Sequence, residues 1–280
     1  MSMQIRASFV REFLAYFRTK RFLIIALSII GLSVFSPLLI AGLGSLMGSM
    51  SDFYSNELGM DVSEMAEILG SAASIGVSSS VSDITGAGLI VLLLLINRAA
   101  GGEQKKRAVI IPKSAGLSSN AYIFPKFIIY PLSAFLLAIM AMFASWAVSV
   151  LLFDYNDVSL STILLSGTLS GVCLMLYVCL HLTLGTATGR AGMSAAVCII
   201  ASVLLPNIFV ATGTDYLYNP FSLDLLALSV IYDSAISGAE ALDIAVTVAF
   251  AFAIMGISYF IALFAQNAKR IDNSGNEIGL

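Results

Sequence analysis

The sequence predicts an all-α polytopic membrane protein, and three observations lead to this prediction. The 280 residues are 59% hydrophobic and only 11% charged, whereas a soluble globular chain is about half apolar and about a quarter charged. The mean hydropathy is +0.95. The apolar residues fall into six runs, and no polar stretch between them is long enough for a soluble domain. We therefore expect a single transmembrane domain over residues 1–280.

Residues 3–20 are expected to form an amphipathic helix that lies in the membrane interface before the first span. Apolar residues recur at every fourth position, and the first arginines fall elsewhere on the helical wheel: Ile5, Phe9, Phe13 and Phe17 against Arg6 and Arg11. This pattern places aromatic rings toward lipid and basic groups toward the headgroups. The alternative is a plain extension of the first span. The basic cluster over 18–21 favours the interfacial helix because it marks a membrane boundary.

Six spans follow, since a helix needs about 20 apolar residues to cross a bilayer. The second apolar run is short, and we expect it to recruit part of the small-residue segment 71–81. The expected spans cover 22–44, 83–97, 127–153, 159–184, 193–211 and 244–265.

The charges predict the orientation. Six spans place both termini on one side, and all 14 Lys and Arg residues fall in segments on that side. The opposite loops carry carboxylates and no cation. Since positively charged loops stay in the cytoplasm, we expect a multi-pass plasma-membrane protein with both termini cytoplasmic.

The basic loop 98–126 is the only internal loop with enough residues to meet a soluble partner. It begins with Arg98, two alanines, Gly101, Gly102 and Glu103, and continues with the basic run Lys105-Lys106-Arg107. An apolar stretch, Val109-Ile110-Ile111, and Pro112 follow. The loop closes at Lys126.

Two segments on the opposite side are too long for turns. In 52–69 an apolar stripe and acidic residues predict an amphipathic helix. It is either a solvated lid or a vestibule that attracts cationic molecules by its field. In 214–243 the apolar run is too short to span. We expect a helix over 222–232 that dips into the outer leaflet and returns, and then a second short helix near 238–244.

No catalytic set is evident. His181 is the only histidine, so a His-based metal cluster or acid–base pair is excluded. We expect it to be neutral and bonded to a neighbouring helix, the alternative being an intramembrane functional group. No charged residue occupies the centre of an expected span, apart from Asp83 at an outer end, which argues against an ion pump. No GxxxxGK[ST] loop occurs, so we expect neither ATP hydrolysis nor a resident cofactor in this chain.

The order of these features resembles the ABC type-2 exporter permeases. Glu12 through Arg21 looks like the family's start, and Gly189-Arg190 resembles its short second internal loop. The stretch from Glu103 through an apolar segment and Pro112 to Lys126 is similar to the family's coupling segment. Asn219-Pro220-Phe221 resembles its Asn-Pro element after the fifth span. One departure is Lys105-Lys106-Arg107, where many members have an acid and a Gly-Thr pair.

The resemblance implies a fold and partners. The expected fold has an interfacial elbow helix, six spans, a cytoplasmic coupling helix and a re-entrant outer hairpin before the sixth span. The permease would be a dimer, with an identical or paralogous second subunit, and each half would dock on a separate ABC ATPase that binds ATP and Mg. The helix over about 102–111 would lie in a groove of that ATPase. The implied coupling residues are Glu103, Lys105, Lys106, Arg107, Val109, Ile110 and Ile111, with Glu103 and Arg107 as polar partners. Simple headgroup attraction is the alternative for the three basic residues.

The sequence also suggests which residues line a translocation pathway and which cargo passes through it. Pro206 and Asn207 interrupt an apolar helix, so we expect Ser202, Pro206, Asn207 and Phe221 to line the pathway. The expected cargo is an amphipathic or hydrophobic peptide, such as a toxin or antimicrobial peptide, as in the phenol-soluble modulin exporters. A multidrug or lipid-linked exporter is the alternative, and a non-ABC scaffold or secondary carrier is the rival class. Lipids are expected partners, and nucleic acid is not.

Overall fold

The computed structural model of the chain describes residues 3–49, 73–103, 116–153, 155–211, 218–232, 238–268, 270–271 and 277–278. These residues are almost entirely helical, with a 3₁₀ turn at Pro220–Ser222. Two-residue strands, β1 (Arg270–Ile271) and β2 (Glu277–Ile278), pair antiparallel. The helices are α1 (Met3–Arg18), α2 (Arg21–Ser49), α3 (Ala73–Gly102), α4 (Ser119–Leu152), α5 (Leu160–Thr188), α6 (Ala191–Ala211), α7 (Leu223–Tyr232) and α8 (Gly238–Ala268).

Six of these helices, α2 to α6 and α8, are long and apolar enough to cross a membrane. Each overlaps one expected span, which supports a multi-pass membrane protein. The second span recruits the serine-rich segment before it, as expected, and α3 begins at Ala73. Helix α7 is too short to cross a bilayer.

Helix α5 is the centre of the bundle. Of its most apolar 18-residue window, 72% is buried, against 22% for α2, α6 and α8. Its small residues let α4 approach closely, since a Cβ on Gly171 would lie 2.6 Å from the Phe135 ring. Ser159 caps its start by accepting from the Thr162 N–H, and Gly189 ends it at φ 67°. Such a left-handed residue favours glycine.

Two π-helical turns interrupt α3, at Ile84–Gly88 and Arg98–Gly102. The second lies against the end of α5, where the two backbones almost touch. A Cβ on Gly101 would lie 2.6 Å from the Gly185 carbonyl oxygen, and a Cβ on Gly185 would lie 2.6 Å from the Ala100 carbonyl oxygen. Only glycine permits this approach.

The bundle has two chemically distinct ends. At one end, which we call the basic end, Lys126 at the start of α4 contacts Glu103 after α3, and Tyr259 of α8 donates to Asn120. At the other, the acidic end, the Ser74 N–H donates to Asp157 over 2.9 Å and the Tyr232 hydroxyl donates to Ser78 over 2.7 Å.

Three sequence expectations need correction. The separate short helix near 238–244 is wrong, because these residues form the first turns of α8. Helix α4 begins before residue 127, so Lys126 is helical. Asp83 does not mark the outer end of a span, since α3 begins ten residues earlier, at Ala73, and continues to Gly102. The Ser36 hydroxyl of α2 donates a hydrogen bond to the Asp83 carboxylate. This hydrogen bond offsets part of the free-energy cost of placing a carboxylate inside an apolar helix. The expected helix over 52–69 lies outside the described residues.

Candidate functional site

The most concentrated polar chemistry of the described residues lies at the basic end, around Lys126. This lysine is only 2% exposed. Its Nζ donates to Glu103 Oε2 over 2.6 Å, to the Tyr122 hydroxyl over 3.0 Å and to the Ala99 carbonyl oxygen over 3.1 Å. A buried ammonium is costly unless it is paired and hydrogen-bonded. Three acceptors satisfy its three N–H donors.

Glu103 has further partners besides Lys126. Its Oε2 also accepts from the Tyr122 hydroxyl over 3.0 Å, and the Arg98 Nε lies 3.7 Å from Oε1. Burial raises the pKa of this carboxyl. The Lys126 charge and the hydrogen bonds from Lys126 and Tyr122 outweigh burial, so its pKa lies below the ordinary value of 4.5. Glu103 is therefore an anion at neutral pH.

Helix α1 docks on the same region through a polar stripe. Ser8, Glu12 and Tyr16, spaced by four residues, are its buried side chains. Glu12 Oε1 accepts from the Tyr130 hydroxyl over 2.8 Å, and Ser133 donates to the Tyr16 hydroxyl over 3.1 Å. Burial raises the pKa of Tyr16, which keeps this hydroxyl protonated. Polar contacts to α4 thus fix the position of α1.

The aromatic face of α1 points elsewhere. Phe13 and Phe17 are 44% and 40% exposed, and their rings stack on each other at 4.4 Å. Only Phe9 of the expected apolar stripe packs partly against the core. An exposed aromatic face beside a polar docking face is compatible with contact to lipid.

A small cavity of about 30 Å³ lies between α1, α2, α3 and α4. Both carboxylates of this region and two arginines line it. The lining residues are Glu12, Ala15, Tyr16, Thr19, Arg21, Leu95, Ile96, Arg98, Ala99, Glu103 and Tyr130. The lining of this partly open cavity therefore carries charges of both signs.

The ion pair between Glu103 and Lys126 joins the two parts of the chain that flank residues 104–115 in sequence. Glu103 immediately precedes this segment, and Tyr122 and Lys126 follow it on the first turns of α4. The ion pair therefore clamps the two ends of the segment together.

Of the seven implied coupling residues, only Glu103 lies among the described residues. Its carboxylate faces Lys126 inside the bundle. Lys105, Lys106, Arg107, Val109, Ile110 and Ile111 lie outside the described residues, and their roles stay predictions.

The expected pathway residues lie on α6 and on the turn Pro220–Ser222, which packs against α6, and their role stays a prediction. Ser202 is half-buried and donates to the Ile199 carbonyl oxygen over 2.8 Å, while Pro206 is buried. Asn207 is exposed on a face of α6 that is otherwise apolar, and it donates to the Val203 carbonyl oxygen over 2.6 Å. Phe221 belongs to the turn before α7, with its ring centroid 6.2 Å from that of Tyr177.

His181 ties α5 to α6, as expected of a histidine bonded to a neighbouring helix. Its Nδ1 lies 2.8 Å from the Ser194 hydroxyl, which donates to the His181 carbonyl oxygen over 2.7 Å. Because that hydroxyl has a single hydrogen, Nδ1 is the donor to Ser194. Within the described residues no group of His, Cys, Asp or Glu could hold a metal ion, and the three cysteines are buried thiols.

Sequence reasoning missed the α1 side of the site. Glu12 and Tyr130 lie 118 residues apart, and no local pattern announces such a pairing. A signal did exist on α1 itself, since Ser8, Glu12 and Tyr16 repeat every fourth residue. A polar stripe on an apolar chain predicts a docking face.

Comparisons of the chain with protein-family models, with curated proteins and with solved structures find no match. The resemblance to exporter permeases rests on the order and spacing of the chain's own motifs.

Proposed function

We propose that the chain is the transmembrane permease subunit of an ATP-driven ABC exporter whose ATPase is a separate subunit. The observation that supports this most directly is the buried pair of Glu103 and Lys126, 2.6 Å apart. It joins the first and last members of the motif that resembles a coupling segment.

The proposed mechanism is mechanical. The segment 104–115 docks on the ATPase, with Val109, Ile110 and Ile111 in a groove of that partner. ATP-driven closure of the partner moves the segment. The ion pair passes this movement to α3 and α4, and the hydrogen bond between Tyr130 and Glu12 passes it to α1. In this account Glu103 anchors the segment through its carboxylate and Lys126.

The proposed orientation places the basic end in the cytoplasm, following the distribution of positive charge. Helix α1 then lies at the cytoplasmic interface as an elbow, with Phe13 and Phe17 toward lipid. The turn Pro220–Ser222 and α7 form the first arm of an outer hairpin, which the continuous α8 completes.

The proposed partner of the less buried helices is a second permease subunit. Asn207 is exposed on α6 among Val203, Leu204 and Ile208, which are 60%, 51% and 51% exposed. An amide on a lipid-facing surface is costly, whereas one that faces a pathway or a second helix can be satisfied. We assign this face of α6 to the interface and the pathway.

The proposed cargo is an amphipathic peptide. A pathway without a charged centre suits apolar and amphipathic molecules, and the acidic loops on the outside attract cationic ones. Drugs or lipid-linked molecules are the alternative cargo.

A secondary carrier is the second candidate function, and Asp83 is the observation that favours it. An ionisable residue inside a membrane helix is a functional candidate, and the partly buried Asp83 carboxylate accepts a hydrogen bond from Ser36 of α2. Replacing Asp83→Asn separates the two functions. It would abolish ion-coupled uptake by a carrier, whereas an ATP-driven exporter would keep its ATPase stimulation.

The coupling assignment is tested by co-purification with the proposed cognate ATPase subunit. Replacing Val109, Ile110 and Ile111 together by Asp should abolish co-purification, because charges cannot enter an apolar groove. Ser118→Asp is the matched control. It adds an acid to the same loop and keeps the cap on the Ala121 N–H, since Asp also caps helices well. Equal recovery of the ATPase with the triple variant would refute the assignment.

A further inference from the structure

The cavity at the basic end is built for a small polar group. Its volume of about 30 Å³ suits two or three water-sized groups, since a water needs about 10–15 Å³ of such space. A primary ammonium is close to a water in size and has three N–H donors. A trimethylammonium group is bulkier by three methyl groups and has no N–H donor.

The carboxylates of the cavity have unused acceptor capacity. Glu12 is only 5% exposed, and its Oε2 accepts no hydrogen bond from the described residues. Among the described residues, the nearest cation to that oxygen is Arg11 Nη2, at 4.0 Å. Within the same part of the chain, Glu103 Oε1 has Arg98 Nε as its partner, at 3.7 Å. A buried carboxylate without full pairing is costly, so both groups favour a cationic N–H donor in the cavity.

The rest of the lining favours an anion next to that cation. Arg21 and Arg98 lie on the lining, and Arg98 has a half-exposed side chain. Helix α2 begins at Arg21, and the first N–H groups of a helix have no intrahelical carbonyl to bond; in α2 the Ile24 N–H is the first to donate, to the Lys20 carbonyl oxygen over 2.9 Å. Arginine side chains and a helix N-terminus are both preferred ligands of phosphate.

The surroundings indicate where such a ligand comes from. Leu14, Phe17 and Leu23, neighbours in sequence of the lining residues, are 55%, 40% and 62% exposed. The site is also at one end of six helices able to span a membrane. A ligand with apolar chains would cover these side chains, whereas a soluble ligand would leave them bare.

We propose that this cavity binds a phosphatidylethanolamine headgroup, with the primary ammonium between Glu12 and Glu103 and the phosphate beside Arg21 and Arg98. The bound lipid joins α1 to α2, α3 and α4 and adds to the polar contacts that already hold α1 on α4. The proposal requires only that the basic end meets a membrane surface, on either side. It therefore stands or falls separately from the proposed export function.

The test is native mass spectrometry of the full-length protein in detergent, with no ATPase present. Phosphatidylethanolamine, phosphatidylcholine and phosphatidylglycerol of identical acyl chains are added in turn. We expect phosphatidylethanolamine to bind about tenfold more tightly than either of the others, since it alone supplies both the small ammonium and the phosphate.

Two variants locate the binding. Glu12→Gln removes the charge and keeps an acceptor for Tyr130, and Ala15→Leu fills the cavity without changing a charge. Each should reduce the preference for phosphatidylethanolamine to that of the other lipids, and Asp243→Asn, at the acidic end, should leave it intact. Circular dichroism identifies a variant that does not fold. If one of the two does not fold, the lipid preference of the other tests the location of the site.

The proposal is overturned by equal binding of the three lipids, which would indicate generic annular lipid. It is equally overturned if a folded Glu12→Gln or Ala15→Leu protein keeps the full preference, which would place the lipid elsewhere.

Discussion

Lys126 lies inside an apolar helix because every one of its N–H donors is satisfied within the protein. The pair with Glu103 is weak evidence for net stability, since desolvation offsets much of the attraction. Removing one partner is a different matter, because the other charge is then buried alone. Removing one charge of the pair should therefore lower the stability of the protein more than removing both.

We predict that Lys126→Met lowers the free energy of unfolding by up to roughly 3–5 kcal/mol, because Glu103 loses its closest cation and keeps only Tyr122 and the more distant Arg98 among its described partners. The double variant Lys126→Met with Glu103→Gln should recover much of this loss. Thermal unfolding in detergent measures both, with exposed Lys20→Met as the control. A single variant as stable as the wild type would contradict the buried pair.

Glu103 also predicts an acid limit to stability. Its pKa is lower in the folded protein than the ordinary 4.5, so its contribution is full above about pH 4.5. That contribution is lost as the pH falls through the lowered folded pKa. The melting temperature should therefore fall more steeply below about pH 4.5 in the wild type than in Glu103→Gln. Parallel curves for the two proteins would show that Glu103 gains nothing from its partners.

At the scale of elements, the contact between α3 and α5 is held by backbone proximity. The π-helical turn Arg98–Gly102 brings Gly101 against Gly185, where no side chain fits. This contact sets the position of Glu103, which follows the turn directly. The geometry of the ion pair therefore depends on two glycines outside it.

We predict that Gly185→Ala destabilises the protein by about 1–3 kcal/mol, because its Cβ would strike the Ala100 carbonyl and force the helices apart. Gly192→Ala is the matched control, since nothing lies within 4 Å of the added atom. It should be neutral or stabilising by about 0.5–1 kcal/mol. Equal melting temperatures of the two variants would show that the close approach is not required.

The six membrane-spanning helices could be predicted well, because hydrophobicity alone determines where such a helix forms. A bilayer demands about 20 apolar residues per helix, and the six runs supply them. The ends were predicted less well, because polar groups satisfied by distant partners extend a helix beyond its apolar run. Lys126 extends α4 for this reason, and the serines before Asp83 extend α3.

At the scale of the whole molecule, the site could be predicted only in part. Glu103 and Lys126 open and close the segment that resembles a coupling motif, and only this resemblance linked them. Glu12, Tyr16 and Tyr130 depend on how α1 folds back onto α4, and this docking is a long-range event that one sequence does not encode locally. The cavity follows from the same docking and was likewise not predicted.

The orientation is a prediction at this scale. Single cysteines at Glu64 and Lys113 should react with an impermeant thiol reagent from opposite sides of the membrane, with Glu64→Cys outside. The native cysteines, Cys173, Cys179 and Cys198, are buried, so background labelling should be low. Labelling of both positions from the same side would break the six-span arrangement.

The central claim is that this chain couples to an ATPase. The most direct measurement is the rate of ATP hydrolysis by the proposed cognate ATPase, with and without this chain purified into lipid vesicles. We predict that the chain raises this rate, that an amphipathic cationic peptide raises it further, and that the triple Asp variant at 109–111 removes both effects. An ATPase rate that is the same with and without this chain would contradict the claim. The secondary carrier would then be the remaining candidate function.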